Sequence, residues 1–267
     1  MRKTAVSIAI AAAASAASFA VAQQAATPSP VTGNITLASE YRFRGIDQTF
    51  GKPAIQGGFD YIHASGIYLG NWNSNVNQGA GYPGSNIEMD LYGGYKRAFG
   101  DLGIDAGFIY YAYPGSDAGP SSTVQVRNNR TGSVHSGAVN NKEVYVGGAW
   151  KFLSAKYFHS LDDYFSTPGT RNTSYVDLAA NYDAGNGWGL IAHYGHLNFK
   201  GVNDGSYNDW KVGATKDLAG WLFGAAYVAT NAKGSCPLDP YCYANTSGSQ
   251  TRDAGRSTVV FSVSKTF

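Results

Sequence analysis

From Asn34 onward the chain repeats one pattern: about ten residues in which apolar and polar side chains alternate, followed by a connection. Successive side chains of an extended strand point to opposite faces, so a sustained period of two marks a strand whose two faces meet unlike surroundings. Twelve such stretches are predicted, at about 34–44, 54–63, 67–75, 86–96, 102–113, 142–150, 153–160, 174–182, 188–197, 207–216, 221–230 and 257–267. Ten residues tilted at about 45° span the hydrocarbon core of a bilayer, whereas globular strands average five or six.

The connections alternate as well. Short turns fall near residues 64–66, 98–101, 151–152, 183–187 and 217–220, and longer polar connections near 45–53, 76–85, 114–141, 161–173, 198–206 and 231–256. Short connections on one side and long ones on the other predict an all-β fold: a transmembrane antiparallel up-and-down β-barrel of about twelve strands, with short periplasmic turns and longer extracellular loops.

Parity within each stretch assigns faces. In the first, Ile35, Leu37, Tyr41 and Phe43 share one side, and Thr36, Glu40, Arg42 and Arg44 the other. In the fourth, Ile87, Met89, Leu91 and Tyr95 oppose Glu88, Asp90 and Lys96. The sixth sets Val144, Val146 and Trp150 against Glu143 and Tyr145. A soluble sandwich gives the same alternation with the apolar face inward, so alternation alone does not decide. Trp150, Trp188 and Trp221 each lie close to a short turn on the apolar parity, where indoles would form an aromatic belt at a membrane interface. The final stretch puts Val259, Phe261, Val263 and Phe267 on one face and ends on the aromatic residue. This resembles the C-terminal signal by which outer-membrane barrels are handed to their assembly machinery. Lys265 departs from that pattern, at a rim where its ammonium can snorkel to the headgroups.

The compartment is read from the other end. Arg2 and Lys3, an Ala-rich apolar run to about Phe19 and the small-residue pattern Ala20-Val21-Ala22 predict a cleaved secretory signal over 1–22. A short polar leader over 23–33 and the barrel over 34–267 follow. Without Arg2 and Lys3 the chain has 18 basic and 18 acidic side chains, with no basic stripe, which argues against nucleic acid as a partner. After the signal no apolar run approaches the length of a transmembrane helix. Charged residues are only 14%, while Gly reaches 34 and aromatics 14%, a balance that suits sheet and turns. Cys236 and Cys242, in an oxidising compartment, are expected to form a loop disulfide; two thiolates alone complete no zinc site, so no metal and no cofactor is expected.

Six segments, ITLASEYRFRGIDQT (35–49), GIYLGNWNSNV (66–76), NIEMDLYGGYK (86–96), LGIDAGFIYYAYPG (102–115), KEVYVGGAWKFLSAKY (142–157) and YNDWKVGATKDLAG (207–220), resemble the proteobacterial TorF-like porin family. The resemblance extends over nearly the whole chain after the signal. It implies an outer-membrane β-barrel and suggests a porin, the functional part of that label being itself an inference.

An open lumen would be lined by Glu40, Arg42, Arg44, Asp60, Glu88, Asp90, Glu143, Lys156, Asp177, His193, Asp209 and Lys211. Their mixed signs predict no strong charge selectivity. The functional expectation is passive diffusion of small polar solutes across the bacterial outer membrane, with the lipid bilayer and lipopolysaccharide as surroundings. Two alternatives remain open. Opposite charges could close into salt-bridge ladders that fill a bore of this strand number, and the connection carrying Asp117, Arg127, Arg130 and His135 could fold inward or stay on the surface. A receptor or adhesin would use the loops instead. An enzyme is disfavoured: no Gly-x-Ser-x-Gly occurs, and His63, His135, His159, His193 and His196 are scattered, the last two on opposite faces of one strand.

Overall fold

The computed structural model describes residues 30–118 and 137–267. The predicted signal over 1–22, and Arg127, Arg130 and His135, lie outside them.

Sixteen strands follow in chain order: β1 (Val31–Ala38), β2 (Arg42–Phe43), β3 (Ile46–Asp47), β4 (Ala54–Ile62), β5 (Ile67–Asn75), β6 (Ile87–Phe99), β7 (Leu102–Ala112), β8 (Asn140–Trp150), β9 (Leu153–Ser160), β10 (Ser174–Gly185), β11 (Trp188–Asn198), β12 (Tyr207–Leu218), β13 (Trp221–Thr230), β14 (Cys242–Ala244), β15 (Thr251–Asp253) and β16 (Thr258–Thr266). Twelve of these close into one antiparallel barrel in the order β1-β16-β13-β12-β11-β10-β9-β8-β7-β6-β5-β4. Closure joins the first and last barrel strands: Asn34 pairs with Thr266 and Leu37 with Val263, and the Phe267 amide donates to Gly33 O at 2.8 Å. A closed sheet leaves no row of unpaired amides and carbonyls at an edge, the condition a sheet must meet to sit in hydrocarbon.

The turn end follows local rules. Between Gly185 and Trp188, and between Leu218 and Trp221, two residues reverse the chain. Both central residues of each turn have positive φ: Asn186 at 53° and Gly187 at 76°, Ala219 at 55° and Gly220 at 78°. That is the backbone of the hairpin turns whose twist matches the flanking strands.

The two faces are those of a barrel in an apolar medium. Phe59, Leu69, Val146 and Phe261 point outward and are 59–65% exposed. Glu88, Asp90, Asp105 and Glu143 point inward and are at most 1% exposed. This sidedness is the reverse of a soluble sandwich. The interior also holds a contiguous cluster of buried aromatic side chains, including Tyr41, Phe43, Tyr68, Trp72, Tyr111, Phe158, Phe165 and Tyr175.

The structure departs from the predicted ladder at several bounds, β1 starting at Val31 inside the expected leader and β6, β10 and β12 running on to Phe99, Gly185 and Leu218, and departs most in the first stretch. The first stretch was expected to run to residue 44 in the wall, but β1 stops at Ala38. There the Ser39 amide donates to Phe261 O at 2.8 Å and Ser39 Oγ accepts from the Phe261 amide at 3.0 Å, closing off the ladder. The chain then turns into the bore, where β2 and β3 form a small hairpin. Tyr41 and Phe43, expected on the outer face, are therefore buried in the lumen at 2% and 7% exposure. The last connection folds over this hairpin: β14 pairs with β15, Cys236 is bonded to Cys242, and Ala254 O accepts from the Asp47 amide at 2.9 Å.

Candidate functional site

The candidate site is the inner wall of the barrel, where the β2–β3 hairpin occupies the loop-end half. Its tip is Arg44-Gly45, with φ of 49° and 79°. Glycine is required at the second position for a steric reason as well, since a Cβ on Gly45 would lie 2.5 Å from Thr230 Cγ2 and 2.7 Å from Asp209 Cβ. The tip is therefore pressed against β12 and β13, and Arg44 is held in a conformation that costs an L-residue ~1–2 kcal/mol.

Contacts across the lumen fix that residue. Arg44 Nη1 and Nη2 donate to Glu143 Oε1 and Oε2 at 2.9 and 2.7 Å, a bidentate pair. Nη1 also donates to Tyr164 Oη at 3.0 Å, and Tyr111 Oη donates to Glu143 Oε2 at 3.1 Å. The guanidinium lies 4.3 Å from the Tyr175 ring centre and 4.8 Å from that of Phe43. Tyr207 Oη donates to Arg44 O at 2.8 Å, tying down the backbone. Glu143 is fully buried, so neither partner is screened by water.

Behind the tip, Glu40 Oε1 accepts from Arg42 Nε at 2.9 Å and Oε2 from Arg256 Nη2 at 2.7 Å. Asp47 faces Arg256 at 3.5 Å and Arg252 at 3.8 Å. Burial pushes the Asp47 carboxyl up to about 6, with Glu40 adding to the rise; the backbone amides of Gly51 and Thr49 and the Arg252 charge oppose it.

Two further networks lie on the wall. Towards the turn end, Lys156 Nζ is 2.6 Å from Asp105 Oδ2, Tyr68 Oη donates to Asp105 Oδ1 at 2.6 Å and is hydrogen-bonded to Tyr145 Oη, and Tyr92 Oη donates to Asp60 Oδ1 at 2.7 Å. On β10–β12, His193 Nε2 and Asp209 Oδ1 are 2.8 Å apart, Tyr175 Oη donates to Asp209 Oδ2 at 2.8 Å, and Asp177 lies 3.6 Å from His193 Nδ1. Tyr41 Oη donates to Glu88 Oε1 at 3.1 Å, beside a fully buried Asp90. No nucleophile joins the imidazole and the carboxylates, so these groups form no acyl-transfer arrangement among the described residues.

The remaining sector of the inner wall carries small residues. Where β13 and β16 bring Gly224, Ala226, Ser262 and Ser264 to the inner face between β12 and β1, a cavity of about 110 Å³ remains, bounded also by Thr36, Glu40, Arg42, Gln56, Lys211 and Thr215.

Each predicted lumen residue can now be placed. Asp60, Glu88, Asp90, Glu143, Lys156, Asp177, His193, Asp209 and Lys211 lie on barrel strands. Glu40, Arg42 and Arg44 were read as wall residues and are instead on the inturned segment, because the ladder ends before them. Lys96, already on the charged parity of its stretch, lies 5.2 Å from the Tyr68 ring centre, and Asp105, absent from the expected lining, has the parity of the inward Gly103 and Gly107 in LGIDAGFIYYA. Tyr92, Tyr111, Tyr145, Tyr175 and Tyr207 share the inward parity of the charged residues on their strands, whereas Asp47, Arg252 and Arg256 lie outside the predicted wall strands.

At the turn end, Trp150, Trp188 and Trp221 are about half exposed. Each ring is approached by an ammonium: Lys151 at 4.8 Å, Lys216 at 4.9 Å and Lys265 at 5.3 Å. Trp221 and Lys265 are cross-strand partners, which gives a place to the lysine that departs from the C-terminal pattern. Val259, Phe261 and Phe267 are exposed on the outer face and Val263 is half-buried there.

An apolar exterior, an interior lined by ionisable side chains and a closed twelve-stranded antiparallel ladder define an all-β barrel. Over residues 22–267 the chain matches the family model described as "Bacterial protein of unknown function (Gcw_chp)", and it belongs to that family. No curated protein matches it. Among solved structures it is similar in fold to the KdgM porin, at a TM-score of 0.50 and 10% identity over 88% of this chain and 98% of that one. Weaker likenesses are to OmpT, an outer membrane protein of Vibrio cholerae (TM-score 0.43, 12% identity, 89% and 96% covered), and to OccK10 of Pseudomonas aeruginosa (TM-score 0.39, 12% identity, 88% and 65% covered).

Proposed function

We propose that the chain is an outer-membrane barrel of porin type that passes small polar solutes by passive diffusion through a bore narrowed by the β2–β3 hairpin. The observation that carries this proposal is sidedness: apolar side chains cover the outside of the barrel and the ionisable ones point into it. An aqueous or polar interior has a use for those charges, whereas a protein that only needs to be stable does better with a hydrophobic filling. The proposal includes export directed by residues 1–22, presentation of the C-terminal strand to the outer-membrane assembly machinery, a surround of lipid and lipopolysaccharide, and an orientation with the long connections outside. The TorF-like family resemblance agrees with it. No chemistry is assigned to the lumen.

A second reading has one specific observation in its favour. The bidentate Arg44–Glu143 pair, clamped by tyrosines, could serve a permanently filled barrel. Planar-bilayer recording on protein folded in detergent separates the two. The porin proposal expects discrete channel events, small for a twelve-stranded barrel and larger once the hairpin is released. Folded protein that gives no events, with the hairpin in place or released, is a filled barrel. Purified protein that is monodisperse without detergent and shows no heat-shifted gel mobility overturns the membrane assignment itself.

A further inference from the structure

The cavity beside the small-residue wall has features that neither the hairpin nor the wall explains. Lys211 lines it and makes no hydrogen bond and no ion pair with the described residues, the carboxylates of Asp177 and Asp209 acting on it only at longer range. The acids around it are already engaged: Glu40 by Arg42 and Arg256, Asp209 by His193 and Tyr175, and Asp177 by His193 at 3.6 Å. Two hydroxyls on the same cavity, Thr36 Oγ1 and Thr215 Oγ1, are buried without a hydrogen-bond partner, in residues 2% and 5% exposed. A buried hydroxyl left unpaired costs about 1–3 kcal/mol. An ammonium and two hydroxyls without partners around one small space are what a group of complementary chemistry would satisfy.

We propose that this cavity is a binding site for a small monoanion, a carboxylate or a compact oxyanion. Lys211 is its counter-charge and Thr36 and Thr215 are its hydrogen-bond donors. Lys211 already lies in the field of Asp177 and Asp209, so its ammonium supports at most one further negative charge, and a second on the ligand would face Glu40 on the cavity wall. About 110 Å³ admits several waters or a solute of a few heavy atoms, not a chain of sugars or a peptide. The inference deepens the porin proposal and rests on it, since it names the class of solute that lingers in the bore.

The test uses the full detergent-folded barrel at pH 6, where both probes are monoanions, with sodium acetate and inorganic phosphate set against acetamide as the neutral analogue of acetate and NaCl at matched ionic strength. The readout is the temperature at which heat-shifted gel mobility is lost, which rises saturably when a ligand binds only the folded state. Acetate, phosphate or both should raise it with a midpoint, and the pattern tells carboxylate from inorganic oxyanion. Acetamide and NaCl should not. Lys211→Met should weaken the midpoint at least tenfold and Lys211→Arg should largely keep it. Thr36→Val with Thr215→Val should weaken it with the charge intact, which guards against Lys211→Met acting through the fold. A response to the probes no greater than to NaCl, or Lys211→Met responding as the parent does, overturns the site. Conductance measured with chloride as the sole anion checks the porin proposal separately. Channels without acetate or phosphate binding sink this site alone, and binding without channels sinks that proposal and leaves the site.

Discussion

Replacing Glu143 by Gln keeps the volume and one acceptor but removes the charge that faces Arg44. The two side chains meet through bonds of 2.7 and 2.9 Å in a place from which water is excluded. Breaking such a pair on one side costs ~3–5 kcal/mol, because the remaining charge stays desolvated. The protein has a cheaper response than unfolding: the β2–β3 hairpin can leave the bore. Departure hydrates Arg44 and relieves its left-handed backbone, worth ~1–2 kcal/mol, against the exposure of side chains such as Phe43, worth ~2 kcal/mol each. Those terms are common to both forms, so the lost pair alone sets the change. Taking the low end of ~3 kcal/mol, the docked-to-released ratio falls about a hundredfold. Glu143→Gln should therefore show larger or more frequent openings in planar bilayers, and trypsin should cut the folded barrel after Arg44 where the parent resists. Arg44→Met combined with Glu143→Leu should close the bore again, since no uncompensated charge remains. If Glu143→Gln conducts as the parent does and stays uncut, the hairpin is not held by this pair and the reasoning fails.

Gly45→Val should release the same hairpin by steric means, as even a Cβ would sit 2.5 Å from Thr230 and 2.7 Å from Asp209; trypsin resistance equal to the parent's would refute the close approach. Asp47 is an acid whose folded value, about 6, lies above its ordinary one. Its contribution is full below about pH 4 and is lost as pH rises through 6, by ~3 kcal/mol at most. The hairpin should thus be held more firmly at pH 4.5 than at pH 7, and Asp47→Asn should flatten that dependence in tryptic nicking of the folded barrel. Removing the Cys236–Cys242 bridge frees a loop closed over a separation of 6 residues, worth about 2 kcal/mol. Hydrogen exchange at Tyr241 and Tyr243 should rise while heat-shifted mobility of the barrel is unchanged; a barrel that melts earlier would show the last connection to be structural for the wall.

The ladder could be read from the chain because its signal is local. Alternation in NIEMDLYGGYK is written within one strand, and two-residue turns such as Asn186-Gly187 are settled by the φ that those residues tolerate. Strand number, the alternation of turns with loops and the composition of each face follow from these signals. Which face was inner did not follow from alternation alone, since a sandwich gives the same pattern, and the outward exposure of Phe59, Leu69 and Val146 supplied the answer.

The site was less legible. Glu40, Arg42 and Arg44 keep the period of two after β1 has ended, because a hairpin inside the bore alternates just as a wall strand does. Only the tertiary structure decides between the two, for the residues that fix the answer are remote: Glu143 lies 99 positions from Arg44, Tyr207 163, and Arg256 216 from Glu40. The cavity is likewise a property of closure, arising where the last barrel strands, with their small side chains, meet the first. Periodicity fixes what each strand offers to either side. Which offered groups meet across the bore depends on stagger and closure, and those are set by packing among all twelve strands together.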